Sequence, residues 1–112
     1  MDERQLAISF EGALPADAAL LAQDLEQQLK EAAPAARISV AKSQPHSQDF
    51  GATLILLFGT PVAIALAQAV AAFLRRNSGA TITISKDGTV VARNLDSKDA
   101  AKIAEAFAGR PS

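Results

Sequence analysis

Residues 50–74, FGATLILLFGTPVAIALAQAVAAFL, carry no charged side chain over 25 positions, and how this run folds decides the architecture. Its only interruption is Gly59-Thr60-Pro61. Glycine after a helix, threonine as an N-cap and proline at the first helical position form a stop-and-restart signal, so the run reads as two consecutive helices. About 20 apolar residues suffice to cross a bilayer as a helix, so a membrane reading has to be weighed. The break at Gly59 to Pro61, the six alanines among residues 61–76 and the strands on either side weigh against it. A spanning helix would leave those strands on opposite sides of the membrane and destroy their sheet.

Upstream, Leu6, Ile8 and Phe10 alternate with Ala7 and Ser9, which predicts a first strand directly after a charged start with no signal peptide. Leu21, Leu25 and Leu29 then recur every four residues with Ala18, Ala22 and Ala32 beside them, and Pro34 forbids continuation. This is an amphipathic helix. Residues 37–41 alternate again, with Ile38 and Val40 on one face, and predict a short second strand. The stretch from Lys42 to Asp49 has no large apolar side chain and reads as a surface loop.

Downstream, Thr81-Ile82-Thr83-Ile84 and Val90-Val91-Ala92-Arg93 flank Asp87-Gly88, a hairpin signal. Asp96 or Ser97 caps a closing helix whose Ala100, Ile103, Ala104 and Phe107 share a face. The predicted order is β-α-β-α(α)-β-β-α. Strands joined through helices are expected to run parallel and the hairpin pair antiparallel, giving a four-stranded mixed sheet. Because large apolar residues alternate with Ser, Thr, Arg or Ala, one sheet face should be open or only partly covered, with helices split across both faces as the alternative. The expected fold is a two-layer α+β sandwich spanning residues 1–112 as a single domain.

Composition sets outer bounds. Of 112 residues 49% are hydrophobic, but 25 of them are alanine, which leaves material for one modest core. The absence of cysteine removes disulfides, a thiolate nucleophile and sulfur-ligated zinc. Eleven basic and twelve acidic residues leave a net charge of -1 and no electrostatic reason to expect nucleic acid.

In the second apolar helix, Val62, Leu66, Ala69, Val70 and Phe73 form the main apolar face, and Ile64, Gln68, Ala71 and Arg75 lie on the opposite side. That opposite side is only weakly polar, and a helix apolar nearly all round is buried on more than one side. Ala63, Ala67 and Ala71, four residues apart, permit close approach of another helix. Three readings stand: a core helix, an interface with a second copy or another partner, and a membrane-contacting segment with Arg75 and Arg76 as anchors. Ile64, Gln68, Ala71 and Arg75 are the candidate interaction residues.

The search for chemistry is barren. His46, Ser47 and Asp49 supply the residue types of a hydrolase triad, yet their loop offers neither rigid flanks nor a glycine-rich oxyanion hole. One imidazole and one carboxylate fall short of a metal site. Gly59-Thr60-Pro61 lacks a donor that a phosphate would use, and no nucleotide motif occurs. No catalytic, cofactor-binding or metal-ligating residue is assigned.

The closing Ala71-Ala72-Phe73-Leu74-Arg75-Arg76 of the apolar segment, Thr81-Ile82-Thr83-Ile84, Asp87-Gly88 and Ala92-Arg93-Asn94-Leu95-Asp96 together resemble the effector-associated constant component family. Those small bacterial proteins are encoded beside variable effectors, such as trypsin-like or caspase-like peptidases, in conflict and immunity systems. The resemblance implies a non-enzymatic, cytoplasmic adaptor whose partner is a nearby-encoded effector, a second copy, or both. It carries no catalytic residues across. An open sheet face with Thr81, Thr83, Ser85 and Arg93 is a second candidate surface, and a membrane-associated component is the alternative.

Overall fold

The computed structural model of the chain describes residues 3–12, 15–42, 52–86 and 89–108. In chain order these are β1 (Arg4–Glu11), α1 (Pro15–Ala32), β2 (Arg37–Lys42), β3 (Ala52–Phe58), α2 (Thr60–Arg76), β4 (Thr81–Lys86), β5 (Thr89–Leu95) and α3 (Ala100–Ala108). The class is α+β, as the alternation implied. The sheet, however, has five strands in the order β2-β3-β1-β4-β5, and every neighbouring pair is antiparallel.

The difference from a four-stranded mixed sheet has one cause. The first half of the uncharged run is a strand, not a helix: Ala52–Phe58 inserts between β1 and β2. Its inner side chains Leu54, Leu56 and Phe58 are buried, and Thr53, Ile55 and Leu57 on its other face are half-buried. With both sides partly covered, no polar alternation marks it. A short apolar run of this kind is ambiguous by periodicity, and its length of seven residues between Gly51 and Gly59 is the cue that favours a strand.

That insertion also accounts for the sheet directions. Both β1 and β2 run antiparallel to β3, so they run parallel to each other, as a crossover through α1 requires, but are not neighbours. Likewise β3 and β4, joined through α2, are parallel and separated by β1. Two interleaved split β-α-β units therefore produce a purely antiparallel sheet. The hairpin follows its sequence signal: Lys86 pairs with Thr89, and Asp87 and Gly88 between them lie outside the described residues.

The helices cover one face. Leu6, Ile8 and Phe10 of β1, Leu54, Leu56 and Phe58 of β3, and Ile82 and Ile84 of β4 point into a core shared with Leu25 and Leu29 of α1, Leu66, Val70 and Phe73 of α2, and Ile103 and Phe107 of α3. Phe10 meets Phe73 with ring centroids 6.0 Å apart, and Phe58 meets Phe107 at 5.6 Å, tilted contacts that tie α2 and α3 to the central strands. The Arg4 guanidinium donates to the Phe107 carbonyl at 2.9 Å, satisfying an acceptor at the end of α3.

Helix ends follow local chemistry. Gly59 in extended conformation is the N-cap of α2, with Pro61 in the first turn, so glycine serves a strand-to-helix junction rather than ending a helix. At the other end the Asn77 backbone N–H and side-chain amide both donate to the Phe73 carbonyl, at 3.0 and 2.8 Å. Before α3, the Asp96 carboxylate accepts from the Lys98 N–H at 2.8 Å and the Asp99 carboxylate accepts from the Asp96 N–H at 3.0 Å. Asp96 thus builds the entry turn, and Asp99 stands immediately before the helix.

Candidate interaction groove on the helical layer

The seven buried residues of α2 include Ala63, Ala67 and Ala71, and α2 packs directly on α3. Between the two helices runs a groove of about 200 Å³. Ala67 and Ala71 from α2 and Ala100 and Ala104 from α3 contribute small side chains, with Ile64, Gln68 and Arg75 alongside them. The alanines permit the close helix approach that four-residue spacing foretold, and the neighbour they approach is α3 of the same chain.

All four residues singled out from the sequence line this one groove, in different ways. Ile64 is 51% exposed, a large apolar side chain left at the surface. Gln68 and Arg75 are exposed and stand about one and about three turns further along α2. Ala71 is 6% exposed and belongs to the α2–α3 contact as much as to the surface. The spacing of the closing helix predicts Ala100 and Ala104 on its core face; Ala100 is exposed and Ala104 half-buried, and both line the groove. Their common spacing of four with the α2 alanines is the signal that could have paired the helices.

The groove's chemistry is simple. Its methyl groups can receive apolar side chains, Gln68 can donate and accept hydrogen bonds, and Arg75 supplies a cation near the C-terminal end of α2, where the helix dipole favours one. Among the described residues, Arg75 takes part in no ion pair; those present are Glu26–Lys30 at 3.1 Å and Asp99–Lys102 at 3.9 Å. The volume lies below the roughly 300–1,000 Å³ of small-molecule sites and suits inserted side chains better.

A larger depression of about 290 Å³ lies where the end of β1 meets the turn before β4, with Glu11, Asp17, Leu21 and Asn77 among its lining residues. Asn77 is engaged with Phe73, and the Glu11 carboxylate accepts from the Asn94 N–H at 3.4 Å. His46, Ser47 and Asp49 lie outside the described residues. Among those that are described, no group of three or more His, Asp or Glu side chains is placed to hold a metal ion, and no helix is long and apolar enough to cross a membrane. The run from Phe50 to Leu74 is divided between β3 within the sheet and α2 over it.

Fold and groove together define an α+β protein with a helix-pair groove on one side and, on the other, a sheet face that none of the described helices covers. The sequence model of the family Effector Associated Constant Component 1 matches residues 12–109, and the chain belongs to that family, an effector-associated component. No curated protein and no solved structure matches the chain significantly.

Proposed function

We propose that this protein is a non-enzymatic accessory component of a bacterial conflict or immunity system, and that it binds its effector through the α2–α3 groove. The observation that supports this reading is the convergence of Ile64, Gln68, Ala71 and Arg75 on a single groove whose edge carries an exposed isoleucine. Exposed apolar surface bordering polar groups marks a contact site on a soluble fold. The partner segment that fits is an amphipathic helix or turn with apolar side chains directed at the alanines and a carboxylate near Arg75. A cytoplasmic effector such as a peptidase encoded beside this chain is the partner expected.

The test is co-purification of the chain with the product of its neighbouring effector gene. Wild-type chain is expected to retain the effector. Ile64→Glu, which places a carboxylate among the apolar contacts of the groove, is expected to lose it while keeping a cooperative melt. Retention by both Ile64→Glu and Arg75→Glu would show that the groove is not the site. No complex with any neighbouring product would remove the adaptor reading itself.

A further inference from the structure

We infer that the face of the sheet opposite the helices is a self-association surface on which a second copy of this chain docks, sheet against sheet. The strand registers align one row across all five strands: Ser39, Ile55, Ala7, Ser85 and Val90. A second row aligns Thr53, Ser9 and Thr83. Neither row contains a charge. Charged side chains enter at the margins, with Arg37 on the edge strand β2, Arg93 on the edge strand β5 and Glu11 at one end of β1. Two central rows without charges meet their own copy with no like-charge opposition, whereas a charged partner finds nothing on them to pair with.

Size and polarity select the same occupant. Five strands about 4.8 Å apart and about 20 Å long present about 500 Å² in plan, so two such faces remove about 1,000 Å² in total, the lower bound of a specific interface. A single added strand or peptide would leave most of that uncovered. Thr83 occupies the second of these rows. It is 8% exposed, and its Oγ1 has no hydrogen-bond partner among the described residues. It stands beside Ser9 on this face, not in the core. A buried hydroxyl is ordinarily satisfied, and because the Thr83 Oγ1 is closed off in the single chain, docking of a second copy would have to turn it outward to meet a Ser9, Thr53 or Ser85 hydroxyl opposite. Pairing in this way places the two helical layers outermost, so both α2–α3 grooves stay open and point away from each other. The assembly would be bivalent, although its formation does not depend on what the grooves bind.

The experiment is light-scattering mass measurement of the full chain from about 1 to 500 μM, a range suited to an interface near the lower size limit. Mass is expected to climb from one chain to two; Ile55→Lys should hold it at one over the whole range, and Ile64→Glu should leave the climb unchanged. A single-chain mass throughout for the wild type would overturn the inference. So would a dimer lost in Ile64→Glu and kept in Ile55→Lys, which would place the contact on the helices. The chain has no cysteine, so Ala7→Cys provides a readout that does not depend on Ile55→Lys folding. A short bis-maleimide should link two Ala7→Cys chains and should not link two Gln68→Cys chains. Failure of the Ala7→Cys link under conditions where the mass is that of a dimer would also overturn it.

Discussion

Strand β3 and helix α2 come from the same uncharged run, and they lack charge for different reasons. In β3, the inner side chains Leu54 and Leu56 are fully enclosed by the helices, and Ile55 and Leu57 on the other face are half-covered by their neighbours. In α2, Leu66, Val70, Phe73 and Leu74 are enclosed, the alanine side meets α3, and Ile64 stands in the open. Lack of charge in the strand reflects its place between two other strands. In the helix it is partly core and partly surface, and only the surface part is free to act on another molecule. A hydropathy profile treats the two as one feature; burial separates them.

Substitutions can break or sharpen that contrast. The largest effect should come from β3: Leu56→Ala removes a fully buried side chain of the core and should cost about 2–5 kcal/mol, measured as a lower urea midpoint with unchanged slope. An undiminished midpoint would mean that β3 does not anchor the core. Ala67→Leu, on the side of α2 that faces α3, should cost about 1–3 kcal/mol by overpacking and should fill the groove, weakening effector capture as well. Stability and binding falling together would confirm that this alanine serves both. Asn77→Ala removes the side-chain donor to the Phe73 carbonyl, leaves the backbone donor, and should cost about 1 kcal/mol, visible as a melting temperature lower by a few degrees. Smallest of all is Ile64→Glu, expected within about 0.5 kcal/mol of wild type in the same urea titration. A loss comparable to that of Leu56→Ala would show Ile64 to be structural and would erase the distinction between the two halves.

The contrast also bears on Ala71. From sequence it is equivalent to Ile64, since both lie away from Leu66 and Phe73 on the helix. In the fold α3 covers it, so Ala71→Glu would strain the α2–α3 contact and could not report on partner binding alone. Which side of an apolar helix remains exposed depends on where the chain's last nine helical residues dock, and nothing within α2 records it.

Much of the fold was nonetheless legible. The four-residue recurrence of Leu21, Leu25 and Leu29 marks α1, and Leu25 and Leu29 are fully buried as the pattern requires. The β-branched runs around Asp87-Gly88 mark β4 and β5, and Ile103 and Phe107 mark the inner side of α3. The alternation in β1 is reproduced residue by residue in its burial. In β1, α1 and α3 the signal is periodic over a short stretch and has one wet side, whereas β4 and β5 are marked by β-branched composition around a turn and not by alternating burial.

Local pattern therefore established the class of fold and most of its elements, and singled out Ile64, Gln68, Ala71 and Arg75 of the groove but not Ala100 and Ala104, because one-sided burial imprints a period of two or of about 3.6 on neighbouring positions. Three things required the assembled chain: that Ala52–Phe58 is a strand, that it separates β1 from β2 and so makes the sheet antiparallel throughout, and that α3 rather than another molecule covers the alanine side of α2. Each depends on contacts between segments remote in sequence. A strand or helix enclosed on more than one side has lost the polar face by which its period could be recognised.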